Sequence, residues 1–377
     1  MTSRGATVSG HRFRVLGGGL AGLATAITLA RRGHAVVVLE RRSQCGSRFH
    51  GDLQCIESWS SEHDTLQQLR QQGLVPDGAW VKPMTRATLV APSGRLHRIS
   101  SRRPAGYIVR RGIQPESLDT ALKDEALALG VEIQFDATAR PEDCHVVATG
   151  PRHPTGFVVG AKIEAATDED RCVMWVGHPA VPHGYFYLVS SGGQGVVAAT
   201  VLSSGTGPRP CLRSALAAME SLMPGFVRRC GPQFGGYGQF GLRPDYVQHG
   251  ALWVGECAGL QDALWGFGIN AALTSGWLAG RALDEGVDYN TLLEQHLLPW
   301  VRGSLVNRWL LERGGSSAIS GVLAAWSIHQ GVRGDGLPFI RRLYRPKWLR
   351  SRLLDRARAD LLLPGDEGIE CIHLRRR

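Results

Sequence analysis

No uninterrupted apolar run in this chain approaches the ~18–20 residues that a membrane-spanning helix requires, so nothing in it reads as a transmembrane segment. Residues 1–12 are polar and lack the apolar centre of a secretory leader, and the expected location is cytoplasmic. The eight cysteines (45, 55, 144, 172, 211, 230, 257, 371) are scattered. No C-x-x-C pair or Cys/His cluster has zinc spacing, so no metal site is expected. A chain this long needs no disulfide staples either. Lysine is scarce, at positions 82, 123, 162 and 347 only. The Cys, His and acidic residues show no nucleophilic-triad pattern, and internal repeats and low-complexity segments are lacking. His50, His178 and His183 are isolated and read as structural, with a proton-donor role as the alternative.

What is present is a 377-residue chain with room for two domains, 43% hydrophobic and 20% charged. Its net charge of +10 is carried almost wholly by arginine. From Arg333 to Arg358 nine basic residues stand against Asp335 and Asp355. That segment is a candidate contact for a membrane surface or an acidic partner, or a solvated helical face; no specific nucleic-acid binding is expected.

The chain is organised around Arg14-Val15-Leu16-Gly17-Gly18-Gly19-Leu20-Ala21-Gly22. An apolar strand runs into three glycines, and a small-residue helix follows to Arg32. A second apolar strand, Ala35 to Leu39, ends in Glu40 and Arg41. Gly17, Gly19 and Gly22 occupy the G-x-G-x-x-G places: one for the tight turn, one for phosphate approach, one for close helix packing. The helix start at Leu20 and Ala21 offers free N–H groups and a positive dipole end to a pyrophosphate. Glu40 stands where a carboxylate accepts ribose hydroxyls. The spacing predicts dinucleotide binding.

Farther on, Glu57 to Gln72 reads as a helix capped by Ser60 or Ser61, and residues 85–99 as a hairpin turning at Pro92-Ser93-Gly94. Short strands rich in aromatic and β-branched residues occupy 153–245. A strand from Ala251 then enters Gly255-Glu256-Cys257-Ala258, and Gly266-Phe267-Gly268-Ile269-Asn270 opens a long helix. Beyond Pro299 the chain is helical and arginine-rich, with a hinge expected at Gly314-Gly315.

Three segments in order, the Gly17/Gly19/Gly22 turn with Glu40, Val146-Val147-Ala148-Thr149-Gly150, and Gly255-Glu256 followed by Gly266 to Asn270, resemble FAD-dependent oxidoreductases of the aromatic-hydroxylase and geranylgeranyl-reductase superfamily. The resemblance implies an α/β fold: a discontinuous Rossmann-like FAD-binding domain (12–80, 106–152, 246–296), an inserted mixed β-sheet substrate domain (81–105, 153–245) and a basic helical C-terminal extension (297–377). It implies FAD as cofactor, with NAD(P)H a candidate electron donor. Thr149-Gly150 replaces the Asp-Gly pair with which family hydroxylases bind NADPH, which weakens that donor. Glu256, where the family has aspartate, would bind the ribityl chain, with Asp262 an alternative anchor. The backbone from Gly266 through Gly268, Ile269 and Asn270 would face the flavin pyrimidine, where a helix N-terminus favours the anionic reduced ring. Arg111 resembles the family arginine that reaches the cofactor. Cys45-Gly46 resembles the reductase loop whose cysteine lies by the flavin, and Tyr185 and Tyr187 resemble the aromatic strand lining the reductase cavity; these three are the candidate catalytic residues. The expected activity is geranylgeranyl-reductase-like, with hydride transfer to an activated C=C of a hydrophobic, lipid or carrier-bound substrate. Two alternatives stand beside it: a flavin monooxygenase hydroxylating an aromatic or peptide-borne substrate, and a non-catalytic FAD-binding partner module.

Overall fold

The structure, a computed structural model, describes residues 12–202, 207–345, 348–364 and 369–372; the polar N-terminal stretch lies almost wholly outside them. The first half alternates short strands and helices. In chain order these are β1 (Arg12–Leu16), α1 (Leu20–Arg31), β2 (Ala35–Glu40), β3 (His50–Glu57), α2 (Thr65–Gln71), β4 (Val81–Met84), β5 (Arg86–Val90), β6 (Leu96–Ser100), β7 (Gly106–Gly112), α3 (Leu118–Ala128), β8 (Glu132–Phe135) and β9 (Val146–Val147). The aromatic-rich middle gives β10 (Gly156–Ala165), β11 (Arg171–Val176), β12 (Tyr185–Ser191), β13 (Gln194–Val201), α4 (Pro208–Leu222) and β14 (Val227–Gly238). Then come β15 (Gly241–Leu242), β16 (Val247–Gln248), β17 (Ala251–Trp253), α5 (Ile269–Glu285), α6 (Tyr289–His296), α7 (Leu298–Arg333), α8 (Leu337–Tyr344), α9 (Trp348–Leu361), β18 (Leu362–Pro364) and β19 (Glu370–Ile372).

A six-stranded sheet in the order β16-β17-β9-β1-β2-β8 forms the nucleotide-binding half. Its β1, β2, β8, β9 and β17 pair in parallel. Parallel strands are covered on both faces, which accounts for the near-continuous apolar runs of β1 and β2. Helix α1 is buried along most of its length because it lies between the sheet and α5. Gly276 makes that approach possible: a Cβ there would sit 2.2 Å from the Ala21 carbonyl. The second sheet, β14-β10-β13-β12-β11-β5-β6, is antiparallel except where β5 pairs in parallel with β11. It is the mixed sheet expected of the middle segment, with the 85–99 hairpin supplying its edge.

Three details differ from the sequence reading. Residues 81–84 join β3 and β7 in a separate three-stranded sheet. The helix read over 57–72 is short, because Glu57 still belongs to β3; α2 is capped by Asp64, which accepts from the Gln67 N–H at 2.9 Å, rather than by Ser60 or Ser61. The C-terminal region is not purely helical, since β19 pairs with β15. The glycine hinge is present: Gly315 takes φ +57° and ψ −151° within α7.

Candidate functional site

The β1–α1 turn assigns its glycines three different tasks. Gly17 has φ +108°, and a Cβ there would lie 2.3 Å from the Ala148 carbonyl oxygen, so the turn fixes it as glycine. At Gly22 a Cβ would lie 1.9 Å from the Gly17 carbonyl oxygen, which makes it the close-packing glycine. Gly19 has ordinary extended backbone as N-cap of α1, no side chain caps the helix, and a Cβ would meet nothing within 4 Å. It faces open space at the helix N-terminus. Glu40, buried at the tip of β2, accepts from Gly18 N–H at 2.7 Å and Arg42 N–H at 2.9 Å.

These groups line one end of a cavity of about 930 Å3 that also reaches Leu20, Ala21 and Arg41. Gly266, Gly268 and Ile269 bring the start of α5 to the same cavity, and its first turn likewise has no side-chain cap. Two helix N-termini thus open into one cavity, each with free N–H groups and a positive dipole end. Beside the second, the buried side-chain carbonyl of Gln261 has no hydrogen-bond partner among the described residues. An open glycine cradle, two uncapped helix starts and an orphaned acceptor fit a dinucleotide carrying a hydrogen-bonding ring, so the residues fit FAD. Among the described residues no His, Cys, Asp or Glu cluster could hold a metal ion.

Several candidates stand elsewhere than expected. Glu256 is on the wall, but its carboxylate meets Arg48 Nη1 at 2.8 Å. Gly255, at φ +62°, packs against α1, where a Cβ would come within 2.9 Å of the Ala21 Cβ. Asp262 lies behind the wall. It accepts from Leu264 N–H, Trp265 N–H and the Tyr344 hydroxyl at 2.7, 3.1 and 2.6 Å; burial pushes it up to about 6. It is a turn-forming carboxylate and not a cofactor anchor. The Asn270 side chain turns away too, donating to Ser60 Oγ at 3.1 Å and accepting from Thr274 Oγ1 at 3.2 Å, so only its backbone remains for a ligand.

Cys45 is a second correction. It is buried off the cavity wall, its Sγ 3.0 Å from where a Cβ on Gly18 would stand. Burial, with the neighbouring Glu40 and Asp119 carboxylates, pushes the thiol up to about 12, so it is inert packing. Tyr185 and Tyr187 share one face and line the cavity, their rings 5.9 Å apart. Burial raises both phenols, and Tyr185 donates to the Trp265 carbonyl. Arg111 reaches the wall, yet Asp119 holds it through Nε and Nη2 at 2.7 and 2.8 Å.

Other wall residues were not among the candidate site residues. Cys55 and Cys172 place thiols there, and burial raises both. Asp52 is a buried wall carboxyl that burial also raises. Arg48 reaches the wall from the loop between β2 and β3. Trp326, Leu337 and Ile340 line the cavity from α7 and α8; no local pattern marks residues so remote in sequence as parts of one site.

Next to the start of α5, Glu57 is fully buried. Its Oε1 accepts from Ser60 Oγ at 2.9 Å, while Oε2 has no partner among the described residues. Burial, with Asp262 nearby, pushes it from 4.5 up to about 7. The folded state then keeps a proton that the unfolded chain loses. This contribution is fully present below pH ~4.5 and declines as pH rises toward 7, by about 3 kcal/mol in all. Glu57→Gln should therefore remove part of the fall in melting temperature between pH 4.5 and 7.5. Parallel wild-type and variant slopes across that range would refute it.

The profile of the NAD(P)-binding Rossmann-like domain matches residues 15–54. The chain is 25% identical over 326 residues to digeranylgeranylglycerophospholipid reductase 2 of Methanopyrus kandleri, spanning 73% of this chain and 77% of that one. Its fold matches a geranylgeranyl bacteriochlorophyll reductase-like protein from Thermoplasma acidophilum at a TM-score of 0.71 and 16% identity, over 92% of this chain and 100% of that one. It also matches p-nitrophenol 4-monooxygenase from Pseudomonas putida at 0.56 and 15% identity, over 92% and 96%. The chain is thus similar in sequence to a digeranylgeranyl-lipid reductase and in fold to a reductase-like protein and a monooxygenase.

Proposed function

We propose that this protein reduces a carbon–carbon double bond in a hydrophobic substrate, with a prenyl chain as the substrate class. The observation that carries the reading is the continuity of the cavity. One space is lined by the glycine cradle, by the start of α5 and by Tyr185, Tyr187, Cys172, Phe234, Trp326 and Ile340. The Methanopyrus relative is, by its name, a reductase of a digeranylgeranyl lipid, a substrate suited to such walls.

Bound FAD, once reduced, supplies the hydride. The protein's own groups do the rest. Gly17 to Ala21 and the α1 dipole would hold the pyrophosphate, and Glu40 the adenosine ribose. The α5 N-terminus favours negative charge at the ring edge beside it. The aromatic walls exclude water. Tyr187, on the wall with its phenol raised by burial, is placed to give the proton that completes addition across the double bond, and Asp52, whose carboxyl burial also raises, lines the same wall. That proton would go to the carbon next to the one that takes the hydride.

The test is anaerobic reduction of the purified flavoprotein with dithionite, which bypasses the natural donor, followed by rapid mixing. A prenyl lipid should restore the oxidised visible spectrum without oxygen, whereas oxygen should reoxidise the protein slowly in one featureless phase. A transient absorbing species with oxygen, together with no oxidation by the lipid, would overturn the reading in favour of the monooxygenase.

A further inference from the structure

We infer that the outward face of the α7–α8 corner seats this protein on an anionic lipid bilayer. This inference builds on the hydrophobic-substrate reading by naming where that substrate arrives. Ile328 and Val332, one turn apart near the end of α7, are 67% and 77% exposed, the highest values for large hydrophobic side chains among the described residues. They border an open groove of about 450 Å3 whose opposite side is Phe339 and Leu343 of α8. Water-exposed apolar side chains framing a groove mark a contact surface rather than scattered surface noise.

The charge around the groove says what that contact is. Arg333 and Arg342 line it, are exposed, and make no ion pair among the described residues. Exposed Arg102 adjoins them, donating to the Arg333 carbonyl at 3.3 Å. The acid at this corner, Asp335, is occupied by Leu337 N–H at 3.1 Å and Arg102 N–H at 3.4 Å. Apolar side chains rimmed by arginines complement acyl chains beneath anionic headgroups. Among the described residues no helix is long and apolar enough to cross a membrane, so the contact is peripheral.

Only part of the basic 333–358 segment forms this surface. In α8, Ile340 and Tyr344 are buried, and Arg341 donates to the Ser58 and His63 carbonyls; the Trp348–Arg350 side chains lie outside the described residues. The exposed face comes from α7 as much as from α8. It also adjoins the cavity. Trp326 lines the cavity and stacks on Phe339 of the groove, ring centroids 6.0 Å apart and 18° from parallel. One aromatic pair separates bilayer from cavity, and a prenyl chain enters past it.

Vesicle flotation of the holoprotein tests this without assaying turnover. Wild type should float at low salt with phosphatidylcholine vesicles containing phosphatidylglycerol and not with phosphatidylcholine alone. Arg333→Gln and Arg342→Gln should each weaken partitioning about fivefold. Ile328→Glu/Val332→Glu should weaken it more than tenfold, with bound FAD unchanged, whereas Leu310→Glu, 44% exposed elsewhere on α7, should have no effect. Absence of wild-type binding, equal binding to neutral vesicles, or undiminished binding by the double variant would overturn the proposal. None of these outcomes would touch the reductase reading, which the anaerobic reduction experiment decides separately.

Discussion

Gly19→Val should give a folded apoprotein that no longer holds FAD. The backbone at Gly19 is already extended, with φ −81° and ψ −177°, a conformation valine adopts without strain. Its side chain would meet nothing in the protein, since a Cβ there has no neighbour within 4 Å. The space it would fill is the approach to the first N–H groups of α1, where the pyrophosphate is expected. Replacing an N-cap glycine by valine costs the helix at most about 1 kcal/mol, so the apoprotein melting temperature should move little. FAD affinity should fall about 100-fold or more, equivalent to ~3 kcal/mol, read by titration of apoprotein with flavin fluorescence. Gly22→Val is the contrast: its Cβ would meet the Gly17 carbonyl oxygen at 1.9 Å, so that variant should fail in folding before binding is tested. Full FAD affinity in Gly19→Val would refute the cradle.

The glycine turn and Glu40 were legible because their geometry is local: three glycines and one strand length fix the whole βαβ unit. Gly266 and Gly268 were legible for the same reason, as a helix start that follows a strand. The cysteines were not. Cys45 sits in the loop that resembles a reductase motif, but whether its Sγ turns toward the cavity or behind Gly18 depends on packing against Asp119. Cys55 and Cys172 reach the wall through strand register in two different sheets, which no spacing encodes. Asp262 failed as an anchor because Tyr344, from 82 residues farther on, satisfies it. The basic C-terminal region was similarly opaque. Arg341 and Arg345 look alike as surface charge, yet one donates to backbone carbonyls beside α2 and the other pairs with Glu62 at 2.8 Å.

Arg111→Leu should destabilise the fold by about 3–5 kcal/mol, and this separates two roles that the sequence leaves together. The Arg111 and Asp119 side chains are only 8% and 2% exposed. The arginine also meets Gln54 Oε1 at 3.2 Å and stacks over the Phe49 ring at 4.2 Å. Asp119 in turn accepts from Gly112 N–H at 2.9 Å, tying the end of β7 to α3. Removing the guanidinium leaves a carboxylate buried without its counter-charge, and that orphaned charge is the larger part of the cost. Asp119→Leu alone should be comparably harmful, since it strands Arg111 and the Gly112 N–H. In the double variant neither charge remains, so its loss of stability should be clearly smaller than the sum of the two, with a coupling of at least ~1 kcal/mol in a denaturant-unfolding cycle. A cofactor-holding arginine would behave otherwise: Arg111→Leu apoprotein would melt like wild type, only FAD affinity would fall, and Asp119→Leu would not rescue it. Arg111 has one N–H on each of its three nitrogens committed to Asp119 or Gln54 before any ligand arrives, so the expected outcome is the stability cycle, with FAD lost only as the wall it supports gives way.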